Sequence, residues 1–368
     1  MKKLVYLVIF AAIIVSCKSK GPQFVLKGKI AGADSVTFIL QERVPGKYVK
    51  LDSAVVIKGE FTLKGRVDYP KMVMIMAKDK RKATTFFIEN SKITMTGQLD
   101  SLYNAKFTGS KTQDEYVAYQ ASLKPFNDRN DKLYQEYKTA ETAGDKPKMA
   151  ELEKTSEQIY NDETAFTKEF IKGHPSSYVV PSLLSSISTD LETNDMESLL
   201  NALDTNLAKV QIIKDLNERV VVMKTVAVGQ KAPDFTLNDV NGNPVSLSSK
   251  IGSKLLLIDF WAAWCGPCRA ENPNVVKVYK EFNKKGFSVF GVSLDRTKED
   301  WVQAIAKDNL TWTHVSDLQY WASAAAKLYA VGAIPANFLL DEKGIIIGKN
   351  LRGEDLYNKV KEVLTAQK

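Results

Sequence analysis

From residue 24 to about residue 107, hydrophobic and polar residues alternate, as they do in strands with one buried face. Three segments, 24–30, 61–67 and 93–99, repeat this alternation around a glycine, which is typical of a bend or bulge in a strand. Residues 36–40, 71–77 and 84–88 add further strand-like runs. The pattern predicts an antiparallel β-sandwich or barrel over residues 24–108.

After residue 108 the hydrophobic period changes to that of a helix. Hydrophobic residues recur at steps of three, four and seven from Tyr116 to Tyr137, and again from Met149 to Phe170 after a turn at residues 143–147. Pro125 is expected to kink or end the first helix. Helices are also expected over residues 178–187, 196–203 and 207–224. The region 109–225 is therefore predicted to be a helical segment that contains a helical hairpin.

The pattern of residues 226–368 predicts an α/β domain. Residues 254–260 are almost all apolar, as in a central strand covered on both faces. A helix is expected to begin at the cysteines that follow, with strands at 287–293, 336–340 and 345–349 and helices at 299–307, 322–329 and from 354 onwards. This order places Cys265 and Cys268 at a strand-to-helix junction, as in a thioredoxin-type fold.

The N-terminal sequence has the pattern expected of a targeting signal. Lys2 and Lys3 precede an apolar run at residues 4–15, which is too short to span a bilayer. The run ends in Ile-Val-Ser-Cys and resembles a relaxed bacterial lipoprotein cleavage box that lacks the usual leucine. The resemblance implies a signal peptide (1–16), lipidation of Cys17 and a tether (17–23). It also implies a periplasm-facing membrane lipoprotein of the cell envelope, with inner or outer membrane left open. The alternative is a secretory signal with a coincidental cysteine.

Charge and cysteine count exclude several classes of function. The formal charge is +8, but basic and acidic residues are interleaved without a basic stripe, so nucleic-acid binding is not expected. The chain has three cysteines, and a lipidated Cys17 would leave only Cys265 and Cys268, too few for a disulfide framework. A zinc site needs four ligands, and neither His174 nor His314 has ligand spacing, so no metal and no cofactor is predicted.

The remaining cysteine pair has the spacing of a redox site. At the start of a helix, unpaired backbone N–H groups and the helix dipole stabilise the thiolate of Cys265 and make it the nucleophile. Cys268 lies three residues on, on the same helix face, where it can resolve a mixed disulfide. Gly266 and Pro267 suit a tight first turn, because a missing N–H costs little there.

Several motifs resemble the thioredoxin superfamily. Residues 259–269, Asp-Phe-Trp-Ala-Ala-Trp-Cys-Gly-Pro-Cys-Arg, are similar to the thioredoxin active-site segment, and Pro273 matches the proline that kinks its helix. Residues 332–335 resemble the loop whose cis-proline faces the disulfide. Residues 232–237 and Trp264 are similar to the membrane-anchored TlpA-like or ResA-like reductases. The whole chain resembles a Bacteroidetes-type lipoprotein with a β-rich N-terminal domain.

The resemblance implies roles for individual residues. Cys265 and Cys268 would form the redox-active disulfide, and the substrate-binding residues would be Trp264, Gly266, Pro267, Ile334 and Pro335. Asp259 shares a strand face with hydrophobic residues, and burial there should raise its pKa and suit it to accept a proton from Cys268. Glu271 matches a glutamate implicated in proton handling in ResA-like proteins. Which of the two carboxylates serves is left open.

The sequence therefore predicts a thiol-disulfide oxidoreductase that works as a reductase, because strong oxidants of the superfamily carry dipeptides other than Gly-Pro. Its partners would be disulfide-containing proteins, apocytochrome c among them by family analogy, and a membrane thiol-electron donor. Oxidase or isomerase activity is a variant of this hypothesis. A thiol peroxidase is an alternative, since residues 232–237 also resemble the start of peroxiredoxins, although their Pro-x-x-x-Thr-x-x-Cys motif is absent. A client- or ligand-binding lipoprotein with an accessory redox domain is another.

Overall fold

The structure is a computed structural model that describes residues 21–44 and 46–366. The predicted signal peptide and the predicted lipidation site Cys17 lie outside the described residues. The chain divides into two compact units, one ending at Thr139 and the other running from Ala140 to the C-terminus. Among the described residues, no helix is long and apolar enough to cross a membrane.

The first unit contains the predicted β-sandwich. Its strands are β1 (Phe24–Ala31), β2 (Thr37–Val44), β3 (Lys47–Val55), β4 (Glu60–Gly65), β5 (Lys71–Ala77), β6 (Lys82–Ile88), β7 (Lys92–Gln98) and β8 (Lys106–Thr108). They form two four-stranded sheets, ordered β4-β1-β7-β8 and β3-β2-β5-β6. Residues of both sheets, such as Leu26 and Phe38, pack in one hydrophobic core. The alternation arises because each strand turns one face toward this core.

One strand pairing differs from the predicted antiparallel pattern. β1 pairs with β4 in antiparallel fashion but with β7 in parallel, in a register that places Leu26 opposite Ile93. The chain between β1 and β7 passes through β4 of the same sheet and all four strands of the other, and this long crossover allows both strands to run in one direction. Alternation within a strand does not depend on the direction of its neighbour, so the sequence pattern could not distinguish parallel from antiparallel pairing.

Helices follow the sandwich, as predicted. They are α1 (Lys111–Ser122), α2 (Lys124–Ala143), α3 (Lys146–Gly173), α4 (Val180–Ile187), α5 (Thr193–Asn201) and α6 (Gln211–Thr225). The first helix ends before Pro125, which lies in the first turn of α2, where a proline removes no hydrogen bond of that helix. The change from strand to helix falls after Thr108, whereas the first compact unit extends to Thr139, within α2.

The rest of the second unit is the predicted α/β domain. Its elements are β9 (Thr236–Asp239), β10 (Pro244–Ser246), β11 (Leu255–Trp261), α7 (Gly266–Phe282), β12 (Phe287–Ser293), α8 (Lys298–Asp308), β13 (Thr313–Ser316), α9 (Ala324–Leu328), β14 (Ala336–Asp341), β15 (Ile346–Lys349) and α10 (Gly353–Ala366). They form a seven-stranded sheet ordered β10-β9-β13-β12-β11-β14-β15. Every residue of β11 is buried, since a hydrophobic core covers each face of the sheet. Because β11 is packed on both faces, its C-terminal end holds the cysteines that follow it in a fixed position.

Candidate active site

The two cysteines lie where β11 ends and α7 begins. Cys265 is the N-cap of α7, and its Sγ lies 3.1 Å from the backbone nitrogen of Cys268, whose N–H points toward it. The two cysteines are joined in a disulfide. Gly266 and Pro267 form the first turn, where neither needs a backbone partner. In most helices this position is taken by a serine or aspartate, whose oxygen accepts from the first backbone N–H groups. Here the Cys265 sulfur takes that position, where the helix dipole makes the potential most positive.

The loop that precedes β14, the neighbour of β11 in the sheet, faces this disulfide. The bond between Ile334 and Pro335 is cis, and the Ile334 carbonyl oxygen lies 3.7 Å from the Sγ of Cys265. Arg352 donates a hydrogen bond to the Pro335 carbonyl oxygen at 2.8 Å and fixes the far side of the loop. Ile334 and Pro335, two of the predicted substrate-binding residues, therefore border the predicted nucleophile.

Asp259 lies on the sheet face that carries the cysteine helix. Leu257 and Trp261, two residues to either side, belong to the core cluster that contains Cys268, so Asp259 points into the same layer. It is 6% exposed. Burial raises the pKa of Asp259 to about 7, and the negative charge of Glu271 contributes to the same shift. The carboxyl can therefore change protonation near neutral pH.

Glu271 is held by hydrogen bonds rather than free at the surface. One carboxylate oxygen accepts from the backbone N–H of Gly353 at 2.8 Å, at the first residue of α10, and the other accepts from the Asn274 amide at 2.8 Å. A carboxylate at a helix N-terminus is stabilised by the local N–H groups and the dipole. Glu271 thus connects α7 with α10 and acts electrostatically on Asp259.

Trp264 forms an exposed aromatic surface next to Cys265. Its indole is 46% exposed, and its Nε1–H donates to the Leu294 carbonyl oxygen at 3.3 Å. The ring contacts those of Tyr320 and Trp321, with centroids 5.0 and 6.0 Å away. Exposed aromatic clusters beside a reactive atom suit contact with another protein.

Comparisons with known proteins match both the β-rich and the thioredoxin-like parts of the chain. A family model described as the AhpC/TSA family matches residues 228–349, and one described as a domain of unknown function, DUF4369, matches residues 24–116. The thioredoxin-like protein YneN of Bacillus subtilis is 38% identical over 121 residues, which cover 32% of this chain and 68% of YneN. The chain belongs to the thioredoxin-like family of thiol-disulfide oxidoreductases. The resemblance to the thioredoxin superfamily that the sequence motifs indicated is confirmed.

Further relatives match the same region. The thiol-disulfide oxidoreductase ResA of Geobacillus thermodenitrificans is 34% identical over 119 residues, which cover 32% of this chain and 66% of ResA, slightly under two thirds of its length. The crystal structure of the thioredoxin domain of a thiol-disulfide oxidoreductase from Bacteroides vulgatus shares 41% identity, with a TM-score of 0.36. That match covers 38% of this chain and 98% of the Bacteroides domain.

Two residues of the thioredoxin-like domain that sequence analysis did not select hold the segment before the cysteines. The buried carboxylate of Asp295 accepts from the backbone N–H of Ala263, 3.1 Å from each oxygen, and from the Ser293 hydroxyl at 2.7 Å. Arg269 donates to the Ala263 carbonyl oxygen at 3.1 Å and forms a bidentate ion pair with Asp308. Asp308 is 39 residues away in sequence, so no local pattern indicates this pair.

Replacing Arg269 by methionine should lower the free energy of unfolding by about 2 kcal/mol, because hydrogen bonds to charged groups contribute that much and Asp308 would keep a largely buried charge. The matched control is Lys277→Met on the same helix, whose ion pair with Glu354 is exposed and should change stability by less than about 0.5 kcal/mol. Urea denaturation of both variants measures the difference. Equal effects would contradict the structural role of Arg269.

The histidines show no catalytic arrangement. His314 is buried against the rings of Trp261 and Trp312, and burial lowers its pKa to about 3, so it stays neutral. The Nδ1 of His174 lies 2.8 Å from the Phe170 carbonyl oxygen at the C-terminal end of α3. Among residues 21–44 and 46–366, no group of three or more histidine, cysteine or acidic residues could hold a metal ion.

Proposed function

We propose that this protein reduces disulfides in other proteins, with Cys265 as nucleophile and Cys268 as resolving cysteine. The observation that carries the proposal is the position of the Cys265 sulfur at the N-cap of α7, directed at a backbone N–H. In the reduced protein, this N–H and the helix dipole would stabilise the thiolate and lower the pKa of the thiol.

The proposed reaction proceeds in two displacements. The Cys265 thiolate attacks one sulfur of the client disulfide, forms a mixed disulfide and releases the other client sulfur as a thiolate, which takes up a proton. The Cys268 thiol then loses its proton, attacks the Sγ of Cys265 and releases the second client sulfur. The client gains two electrons and two protons, and the protein ends with the Cys265–Cys268 disulfide. Asp259, with a pKa of about 7, supplies the base for the second step.

The client would bind along the loop that contains Pro335. The Ile334 carbonyl oxygen lies beside the Cys265 sulfur, where an extended client segment can pair with the Ile334 backbone. The N-terminal sequence supports a lipid-anchored protein that faces the periplasm. Electrons to reduce the disulfide would then come from a membrane thiol donor.

The reduction potential tests the direction of the reaction. We expect a value near that of thioredoxin, about −270 mV, rather than that of the oxidant DsbA, about −120 mV. Equilibration of the full chain with glutathione or dithiothreitol redox buffers, quantified by thiol alkylation and mass spectrometry, gives the potential. A value near that of DsbA would support an oxidase and contradict the reductase assignment, although thiol–disulfide exchange would stand.

Thiol peroxidase activity is the second candidate, because the AhpC/TSA family model covers residues 228–349. The segment that leads from β11 to Cys265 is Ala-Ala-Trp and lacks the threonine of the peroxiredoxin motif. We therefore expect the reduced protein to consume hydrogen peroxide far more slowly than it reduces insulin disulfides. The opposite order of rates would favour the peroxidase.

A further inference from the structure

A cavity of about 290 Å³ lies between the helical segment and the loop that contains the cis-proline, within the second compact unit. Gly332, Ala333 and Pro335 form the wall on the side of the thioredoxin-like domain. Tyr160 of α3 and Arg219 of α6 contribute to the opposite wall. The helices that precede the redox domain thus border the loop expected to bind the client.

Arg219 lies directly against this loop. A Cβ atom added at Gly332 would come within 2.8 Å of the Nη1 of Arg219, so the guanidinium occupies the space that a side chain at position 332 would fill. The Nε of Arg219 is buried and has no hydrogen-bond partner among the described residues. Burial also lowers the pKa of Arg219. A buried donor without an acceptor is unfavourable, so the guanidinium would gain from an acceptor group bound in the cavity that it lines.

Other cationic side chains line the cavity. Burial lowers the pKa of Lys349, and the charge of Arg219 contributes to the same direction, whereas Glu192 opposes it. Arg352 also lines the cavity and already donates to the Pro335 carbonyl oxygen. Of the two acidic residues in the lining, Asp190 accepts a 2.6 Å hydrogen bond from the Tyr160 hydroxyl and Glu192 lies near Lys349. Three cations therefore face two carboxylates that already have partners.

We propose that Arg219 binds a carboxylate side chain of the client next to its disulfide, so that the helical segment selects acidic clients for the redox site. The proposal rests on the function proposed above, since it requires a client segment along the loop. An acidic side chain bound in the cavity would accept from the Arg219 guanidinium that lines it, and its charge would balance the excess of cations. A guanidinium suits this role because it can bind a carboxylate through two parallel hydrogen bonds.

Two synthetic peptides test the proposal. Each contains one intramolecular disulfide, and they differ only in having glutamate or glutamine at the positions that flank the cysteines. The reduced full chain is mixed with each peptide, and kcat/KM is obtained from alkylation and mass spectrometry of quenched samples. The wild type should prefer the glutamate peptide by about tenfold, the value expected for one charged hydrogen bond.

Arg219→Gln should abolish this preference, so that the ratio of kcat/KM for the glutamate peptide to kcat/KM for the glutamine peptide falls to about one within the variant. Arg219→Lys, which keeps the charge but not the bidentate geometry, should retain part of it. Lys214→Gln, which removes an exposed charge from the same helix, should behave as the wild type. The preference should persist at high salt, because a buried pair is screened less than long-range attraction.

The outcomes separate the two proposals. If the wild type reduces neither peptide, nor neutral hydroxyethyl disulfide, the proposed function is wrong. If it reduces both peptides at equal rates, or if Arg219→Gln keeps the preference, the selectivity proposal is overturned and the redox function stands. Circular dichroism of each variant establishes that it is folded before rates are compared.

Discussion

A Cys268→Ser variant is expected to accumulate a stable mixed disulfide with its client through Cys265, while Cys265→Ser reduces turnover to the uncatalysed rate. Serine at 265 removes the only sulfur at the N-cap of α7, and a hydroxyl there is not ionised near neutral pH. Serine at 268 leaves the first displacement intact but removes the thiol that would release the client. Insulin reduction measures turnover, and non-reducing gels with mass spectrometry identify the trapped species.

The double variant Cys265→Ser/Cys268→Ser serves as the control and should neither turn over nor trap. Mixed disulfides that form through Cys268 in the Cys265→Ser variant, at a rate equal to that of Cys265 in Cys268→Ser, would reverse the assigned roles. The structure favours the assigned order because Cys265 is the N-cap of α7, whereas Cys268 lies inside the helix; both side chains are buried, at 4% and 1% exposure.

Asp259→Asn is expected to slow the release of the client by about a hundredfold at neutral pH, the lower range for loss of a positioned general base. In the wild type, the rate of release should rise as pH increases through about 7, because the ionised carboxylate is the form that accepts the Cys268 proton. Asparagine cannot accept this proton, so the inflection should disappear. Single-turnover rates of mixed-disulfide resolution, recorded between pH 5 and 9, measure this inflection. At the alkaline end of this range, thiolates begin to form without a general base.

Glu271→Gln is the matched variant for this experiment. Removing the Glu271 charge takes away one of the two causes that raise the pKa of Asp259, so the inflection should move to lower pH but remain. If Glu271→Gln removes the inflection and Asp259→Asn preserves it, Glu271 is the carboxylate that serves and the assignment to Asp259 is wrong. The pair of variants therefore resolves a choice that sequence resemblance left open.

The same carboxyl should also make stability depend on pH. Its pKa is higher in the folded than in the unfolded protein, so the folded state binds more protons and stability falls as pH rises from about 4 to about 7, by up to about 4 kcal/mol. Asp259→Asn should lack this decline. Urea denaturation of the oxidised Asp259→Asn variant and the oxidised wild type measures this effect. The difference between their free energies of unfolding should grow from about pH 4 to about pH 7 and stay constant above it.

Much of the fold was predictable because burial imposes a period on the sequence. The buried strand β11 is almost all apolar, and its predicted start differs by one residue from the observed one. Strand β3 was missed because its residues are mostly exposed or half-buried, so that they show little alternation. Strand β13 was missed because its four residues are too few to establish a period. The parallel pairing of β1 with β7 depends on the path of the whole chain, which no local pattern reports.

The same distinction applies to the residues of the candidate site: those marked by a local pattern were predicted, and those that act through distant contacts were not. Cys265 and Cys268 were identified because a short motif carries their chemistry, and the orientation of Asp259 followed from the alternation of a strand. Arg269 and Arg219 were not identified, because each acts on groups distant in sequence: Arg269 on Asp308 and Arg219 on Gly332. Charged residues on amphipathic helices resemble ordinary solvated residues until their neighbours are known.

The packing of α6 against the loop of Gly332 has a consequence for how the protein should be dissected. A fragment starting at Val226 would retain both cysteines, Asp259 and the cis peptide bond, yet it would lack Tyr160 and Arg219. Such a fragment would present an open loop to any disulfide. Assays on the isolated thioredoxin-like domain would thus show reduction of disulfides without a preference for acidic clients, because the helices that carry the preference would be missing.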